Sequence, residues 1–353
     1  MIYDLAIAGG GPAGLAAAIR AAQRGFTAVV LERSDGVPDK ACGEGLMPAG
    51  ARELALLGAR VETAQPFRGI RYLQDEDAVE ARFRGGQVGL GIRRTVLAGA
   101  LRERAAELGA GLRRCAVQSA RAGPQSIVVQ TDAGEVEARL LVAADGLHSP
   151  LRRAAGLDAP GPPAPPRFGI RRHFELAPWS DLVEVHWSDG VEAYVTPVGP
   201  RSVNVAFLSG RGAGFDELLL RFPALRQQLA GARPDSETRG AGPLLQRVRA
   251  RRADRLALLG DAAGYVDAIT GQGLSLAFAG AALLVEALPQ DLAQDLAPAL
   301  LRYDHALRSR WLRYAIPAHA LVALSRRPGL RRSAIRAVAA LPGAFGALVQ
   351  VVG

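Results

Sequence analysis

A glycine-rich turn within the first fifteen residues constrains this chain more than any other feature. Residues Tyr3 to Ala8 form an apolar run of the kind that makes a buried parallel strand. Gly9-Gly10-Gly11-Pro12-Ala13-Gly14 follows at once, and then comes an alanine-rich, helix-forming stretch, Leu15 to Arg24, stopped by Gly25. A second strand, Thr27 to Leu31, ends on Glu32, completing a β-α-β unit in about 30 residues. In that context Gly9 permits the tight turn out of the strand. Gly11 lets backbone approach a pyrophosphate, and Gly14 lets helix and strand pack closely. The helix start at Pro12 and Ala13 offers free N–H groups and a positive dipole end to phosphates. Glu32, followed by Arg33, stands where a carboxylate accepts hydrogen bonds from a ribose diol. An acid there suits an adenosine with a free 2′-hydroxyl, which leaves FAD and NAD both open.

Downstream, 34–50 reads as a loop containing Asp39-Lys40-Ala41-Cys42-Gly43-Glu44-Gly45-Leu46, and a helix is expected over Ala49 to Leu57. Phe67 to Arg84 alternates like antiparallel strands, and Arg94 to Leu108 reads as an amphipathic helix. Strands near Ser126 to Thr131 and Arg139 to Ala143 lead into Ala144-Asp145-Gly146. A proline-rich linker, Pro160 to Pro166, precedes a strand-rich stretch from Arg167 to Leu208 that carries Trp179, Trp187 and Tyr194. Leu256 to Leu259 is a further apolar strand, running into Gly260-Asp261 and then a helix from Gly273 to Leu288. From Pro298 onward the chain reads as helical, basic and apolar.

Three spaced motifs, Gly9 to Gly14, Ala144-Asp145-Gly146-Leu147-His148-Ser149-Pro150-Leu151-Arg152, and Leu258 to Gly264 with Thr270-Gly271-Gln272-Gly273-Leu274-Ser275, together resemble the FAD-dependent aromatic-hydroxylase superfamily. That group includes single-component monooxygenases, related halogenases and geranylgeranyl reductases, and the likeness spans residues 1 to about 315. The resemblance implies FAD as cofactor and an α/β fold: a Rossmann-like FAD-binding domain of the glutathione-reductase type, with an inserted antiparallel β-sheet substrate domain and a helical C-terminal region. The expected boundaries are 1–66, 92–160 and 250–297 for the FAD domain, 67–91 and 161–249 for the substrate domain, and 298–353 for the helical region. It also implies that Asp261, after Gly260, contacts the ribityl or pyrophosphate region and that Asp145 lies near the pyrophosphate. Gly271, Gly273 and Leu274 would bring backbone N–H groups and a helix start to the pyrimidine edge of the flavin, where negative charge gathers on reduction. Arg94 matches a position that contacts the flavin, and Cys42 with Gly43 matches a loop that passes the ring in the geranylgeranyl-reductase branch. A thiol there is a candidate weak acid for catalysis.

The likeness to that branch breaks at Ala193-Tyr194-Val195-Thr196-Pro197-Val198-Gly199-Pro200, where the branch has an aromatic-rich Tyr-x-Trp-x-Phe-Pro pocket motif. Tyr194 remains; the Trp and Phe do not. The halogenase Trp-x-Trp-x-Ile-Pro signature is absent from the chain. The reading favoured from these residues is therefore an NAD(P)H- and O2-using monooxygenase acting on an aromatic or polyketide-like small molecule. The alternative is a flavin reductase of carbon–carbon double bonds in a prenyl or lipid-like substrate. In either case the strand-rich region is expected to roof the flavin, with Tyr194, Trp187, His186 and Pro197 as substrate contacts.

The net charge of +9 raises the question of nucleic acid. The basic residues are scattered, Lys40 is the sole lysine, and aromatics are 5%, too few for a stacking platform, so no nucleic-acid partner is expected. Two cysteines, Cys42 and Cys115, build no disulfide framework and no metal cluster, which points to a cytoplasmic setting and no metal. The arginine-rich C-terminal region has two readings: helices packed on the FAD domain with arginines in solvent, or a peripheral contact with anionic membrane.

Overall fold

The computed structural model describes residues 1–161, 165–210 and 212–339. Part of the expected proline-rich linker and residues 340–353 of the expected C-terminal region lie outside the described residues. In chain order the first elements are β1 (Tyr3–Ala8), α1 (Pro12–Gln23), β2 (Ala28–Glu32), β3 (Gly45–Leu46), α2 (Pro48–Leu57), β4 (Gln65–Phe67), β5 (Gly69–Gln74), β6 (Asp77–Arg82) and β7 (Gly89–Gly91). Then come α3 (Arg94–Glu107), β8 (Gly111–Arg114), β9 (Val117–Ala122), β10 (Ile127–Thr131), β11 (Gly134–Ala143), α4 (Pro150–Ala154), β12 (Phe168–Glu175), β13 (Val183–Ser188), β14 (Val191–Gly199) and β15 (Ser202–Ser209). The chain continues through α5 (Phe215–Leu219), α6 (Pro223–Gln228), β16 (Arg233–Pro234), β17 (Arg239–Ala241), β18 (Arg252–Ala253), β19 (Leu256–Leu258), α7 (Gly273–Ala287), α8 (Ala297–Ser325) and α9 (Pro328–Ala339).

The first sheet runs β18-β19-β11-β1-β2-β8, with β10 and β9 continuing as an antiparallel extension from β11. Strands β19, β11, β1, β2 and β8 are mutually parallel where they pair. Strand β1 is the switch point, since the chain leaves it by α1 toward β2 on one side and pairs it with β11 on the other. In such sheets the crevice beyond the strands' carboxyl ends is where ligands bind. Leu5, Ala6 and Ile7 of β1 and Leu140, Leu141 and Val142 of β11 are fully buried in succession, so both faces of the central strands are covered. α1 packs against α3 and α7, and α7 packs in turn against α8.

The second sheet runs β16-β12-β15-β14-β13-β5-β6, with β17 pairing β12. It departs from the antiparallel expectation at one place, where β13 and β5 pair in parallel because β5 arrives from the distant N-terminal segment. One face packs on α5 and α6 through Phe174, Val195, Val205, Phe207, Phe215, Phe222 and Leu225. The opposite face, with Val183, Val185 and Trp187, meets Ile335 of α9 and Leu321 and Leu324 of α8. Both faces are covered, so the strands carry no clean polar–apolar alternation. A small sheet, β3-β7-β4, joins the two layers.

Candidate active site

Because β2, β1, β11 and β19 run the same way, their carboxyl ends share one edge. The register Ala8↔Leu31, Ala8↔Ala143 and Ala143↔Leu258 brings the four ends level. Each strand is followed directly by one of the expected motifs: Gly9–Gly14, Glu32–Arg33, Ala144–Gly146 and Gly260–Asp261. Gly9 has φ 110°, and a Cβ there would stand 2.4 Å from the Ala144 carbonyl oxygen. A Cβ on Gly14 would lie 2.0 Å from the Gly9 oxygen, so Gly14 serves packing and does not line the cavity. Gly11 differs, for its Cβ would meet only Arg94 Nη2 at 3.8 Å and would otherwise project into open cavity.

The carboxylate of Glu32 accepts from the Gly10 N–H at 2.7 Å and the Ser34 N–H at 2.9 Å. Burial alone would raise its pKa, but those two N–H groups, together with the Ser34 hydroxyl and the Lys40 charge, outweigh it and hold the carboxyl below its ordinary value. α1 starts at Pro12 with no side-chain cap and no acid in its first turn, so its end N–H groups remain open to an anion. α7 also starts without a side-chain cap, behind Gln272, with Gly271 at φ 66° and Gly273 and Leu274 facing the cavity. Burial pushes the Asp261 carboxyl up against the pull of Arg94 and Lys40, and burial likewise raises Asp145.

Two arginines hold these turns: Arg152 closes the Asp145 motif in the sequence, whereas Arg167 is not apparent from local sequence. Arg167 donates through Nε to Asp267 at 2.7 Å and through Nη2 to Glu192 at 2.6 Å, all three side chains being buried. Asp267 accepts from the Ile269 N–H at 3.0 Å, and Tyr314 donates to the Asp267 carbonyl at 2.6 Å. The loop presenting Gly271 and Gly273 is thereby anchored. Arg152, also buried, donates to the Leu147 carbonyl at 3.2 Å and the Ala262 carbonyl at 3.3 Å, tying the turn after β11 to the one after β19.

The Cys42 loop is clamped to the second sheet. Asn204 Nδ2 donates to the Cys42 carbonyl at 2.9 Å, and the Glu44 N–H points at Cys42 Sγ at 3.4 Å. Glu44 takes up φ 59°, an uncommon backbone state for a residue with a side chain. Its Oε1 accepts from the Arg94 N–H at 2.8 Å and its Oε2 meets His173 Nε2 at 2.5 Å, both side chains being almost fully buried. His173 Nδ1 faces Arg171 Nη1 at 3.3 Å, and a guanidinium only donates. Nδ1 is therefore the acceptor, and Nε2–H donates to Glu44. Arg171 pairs further with Asp39. Burial, reinforced by the Glu44 charge, pushes the Cys42 thiol above its ordinary pKa, so it is protonated at neutral pH.

These parts open on one cavity of about 1200 Å³. It exceeds the roughly 300–1,000 Å³ of an ordinary small-molecule pocket. Its lower end is walled by the motif residues: every expected cofactor contact except Gly14 lines it, Arg33, Gly43 and Arg94 included. Its upper end lies between the second sheet and the C-terminal helices, with Ile70, Tyr72, Val183, Val185, Leu321 and Ile335 as walls. Trp187 and Tyr194 line it; His186 and Pro197 do not. On β13 the side chains at 183, 185 and 187 face the cavity, so His186 turns to the other face. There it meets Glu184 at 3.2 Å and stands edge-on to Phe222. On β14 the cavity positions are Tyr194 and Thr196, which puts Pro197 out of phase. The donor set at the lower end fits FAD: two uncapped helix starts, the cations Arg33, Lys40 and Arg94, a carboxylate at Glu32, and a glycine at 11 whose missing Cβ leaves room for a pyrophosphate.

Comparison with known proteins agrees with this geometry. A family model described as an FAD binding domain matches residues 3–314. Digeranylgeranylglycerophospholipid reductase 1 of Methanopyrus kandleri is 29% identical over 321 residues, covering 84% of this chain and 82% of that protein. Menaquinone reductase of Mycobacterium tuberculosis is 29% identical over 327 residues, covering 84% and 79%. Among solved structures, p-nitrophenol 4-monooxygenase PnpA of Pseudomonas putida DLL-E4 superposes with a TM-score of 0.83 at 21% identity, covering 99% of this chain and 95% of that one. That last likeness is one of fold.

Proposed function

The chain belongs to the FAD binding domain family and is an FAD-dependent oxidoreductase, and from that premise we propose that it reduces a carbon–carbon double bond in a long, apolar, lipid-like substrate. The observation that carries this reading is the apolar compartment above the cofactor cradle, which runs past Val183 and Val185 to Leu321 and Ile335. Such an apolar lining, drawn from Ile70, Val183, Val185, Leu321 and Ile335, suits a hydrocarbon better than a polar ring. Two relatives that align over about four fifths of both lengths are named as a digeranylgeranylglycerophospholipid reductase and a menaquinone reductase, which supports the same order of preference. This inverts the order favoured from the sequence, where the incomplete aromatic motif at Tyr194 weighed toward oxygenation.

When bound, FAD supplies a two-electron carrier that can pass a hydride to one carbon of the double bond, with NAD(P)H as the proposed electron source. The chain's own part is positional and protic. The starts of α1 and α7 hold negative charge at the two ends of the cradle. Cys42, kept protonated by burial, has its Sγ available to give a proton to the second carbon. The Glu44–His173 pair fixes the loop that carries it. Apolar walls keep water from the reacting end.

The alternative, oxygenation of a polyketide-like or aromatic molecule, keeps one observation in its favour: the Trp and Phe of the lipid-pocket motif are missing around Tyr194. Incubating the holoprotein with NADPH and either a polyprenyl lipid or an aromatic phenol, under nitrogen and under air, separates the two. The expected product is a lipid that has gained two hydrogens, formed equally well without oxygen. A product that has gained oxygen, or no lipid product at all, overturns the reductase reading. Val185→Trp, which fills the upper compartment, is expected to lower kcat/KM for the lipid about tenfold or more while leaving flavin content unchanged.

A further inference from the structure

We propose that the outer face of α8, with the start of α9, docks on an anionic lipid surface, so that the cavity mouth beside Ala320 opens toward the bilayer. α8 buries one side, Tyr303, Leu307, Tyr314 and Ala318, against the body of the protein. Positions spaced by four and seven residues on its other side, Leu301, Arg308, Leu312, Ile316 and Ala323, are all exposed, as is Arg327 just past its end. Ile316 is 67% exposed, Leu312 43%, and Leu330 at the start of α9 55%. Large apolar side chains in a row on an outer helix face are unexpected in water, and here arginines flank them.

The charge says what covers them. From His305 to Gly353 the sequence has eight arginines and no aspartate or glutamate. Arg331 and Arg332 reach acids on other elements, Asp189 and Asp75. Among the described residues, Arg308, Arg310, Arg313, Arg326 and Arg327 have no carboxylate within ion-pair distance, unlike most arginines of the second sheet. A second copy of this chain is a poor occupant, because a two-fold contact would set arginine against arginine. A bare phosphate backbone would leave Leu312 and Ile316 in water. Anionic headgroups over acyl chains satisfy both components, the pattern of an interfacial helix. No helix among the described residues is long and apolar enough to cross a membrane, so the contact lies on the surface.

The position of the stripe has a consequence for access. Pro317, Leu321 and Leu324 line the cavity from α8, and Ala320 both lines it and is exposed. The mouth therefore borders the stripe, about 80° around the helix from Leu312 at roughly 100° per residue. A substrate leaving the lipid there reaches Leu321 and Leu324 without crossing water. This docking does not depend on which reaction the flavin performs, and it is tested without turnover.

Flotation of the FAD-loaded protein with vesicles of phosphatidylcholine alone, and with a third of the lipid replaced by phosphatidylglycerol, reads the interaction directly. Two variants are compared with the parent: Leu312→Asp with Ile316→Asp, and Arg308→Glu with Arg327→Glu, each checked for retained flavin absorbance. The expected result is flotation with anionic vesicles that weakens with salt and falls about tenfold or more in both variants. Failure of the parent to float with anionic vesicles overturns the proposal, as do variants that float as well as the parent. Size-exclusion chromatography closes the remaining route: a dimer that Leu312→Asp with Ile316→Asp dissociates, together with no flotation, makes the stripe a self-association face and sinks the lipid assignment.

Discussion

Alanine at Gly14 and alanine at Gly11 are expected to have opposite consequences, although both glycines belong to one motif. Gly14 lies inside α1, where helix propensity alone predicts that alanine stabilises by about 1 kcal/mol. Its Cβ would stand 2.0 Å from the Gly9 carbonyl oxygen and 3.1 Å from Ile7 Cγ2. The carbonyl is backbone in the turn that connects β1 to α1, so no flexible side chain can yield. Overpacking of a close-packed site costs about 1–3 kcal/mol, and a contact this short belongs at or above the upper end. The net effect is a loss of about 2 kcal/mol or more, the reverse of the propensity. Gly11 sits at φ −77° and ψ 175°, extended backbone that alanine adopts freely. Its weaker N-capping and the reduced entropy of the unfolded chain offset each other to within about 0.5 kcal/mol. The apoprotein should therefore unfold like the parent. The added methyl group stands where backbone meets pyrophosphate, and losing one charge-assisted hydrogen bond of about 1.5–3 kcal/mol weakens FAD binding about 10- to 150-fold. Urea unfolding of the apoproteins and FAD titration by flavin fluorescence give the two readouts. A Gly14→Ala apoprotein more stable than the parent, or a Gly11→Ala protein that binds FAD within about threefold of it, refutes the reasoning.

Glu32 has its pKa held below the ordinary value of 4.5, so it contributes stability above that pH and loses it as pH falls through the folded value; the gap in urea midpoint between the parent and Glu32→Gln should shrink on acidification below 4.5, and a gap that widens contradicts the assignment. Cys42, pushed above 9.0 by burial, should alkylate slowly with iodoacetamide at neutral pH and speed up only at pH well above 9.0; rapid labelling at neutral pH would mean a thiolate and remove it as proton donor. Arg167→Gln strands the buried carboxylates of Glu192 and Asp267 and should cost about 3–5 kcal/mol along with flavin retention, read by urea unfolding and flavin content; an unchanged midpoint would show that the loop at 265–272 is held by other contacts.

Much of the first sheet is legible in the sequence because its information is local. β1, α1 and β2 occupy consecutive residues, their apolar runs are continuous, and the glycines have local reasons: a positive φ at Gly9, and at Gly14 a Cβ that would meet the Gly9 carbonyl. β8 and β9 are not legible for the converse reason. Gly111-Leu112-Arg113-Arg114 is half exposed at the sheet's edge, and Val117 to Ala122 is exposed almost throughout, so neither carries a burial period. α5 and α6 span only five and six residues, too short for a helical repeat to register. The phase of β13 fails differently. Val183-Glu184-Val185-His186-Trp187 is buried on both faces, with Phe222 behind and Ile335 in front. Periodicity is silent there, and a histidine next to a tryptophan reads as a pair although a strand sends the two to opposite sides.

The same distinction explains why the cofactor could be read and the substrate could not. Every group at the phosphate end follows a parallel strand within a few residues, so one topological fact, four carboxyl ends at one edge, assembles motifs that each look local in the sequence. The supports behind that end are already less visible, since Arg167 reaches Glu192 across 25 residues and Asp267 across 100. At the apolar end nothing is local. Ile70 comes from β5 and Val185 from β13, neighbours in the second sheet but far apart in the sequence, and Leu321 and Ile335 come from helices at the other end of the chain. Arg331 pins that last helix by donating to Gln74 at 2.8 Å and to the Ser188 and Ser325 carbonyls, contacts spanning up to 257 residues. Substitutions on β5, β13, α8 and α9 are therefore the ones that should change which molecule is accepted while flavin binding stays intact. Substitutions at the strand ends should do the reverse, because the two ends of this cavity share a volume but almost no structural elements.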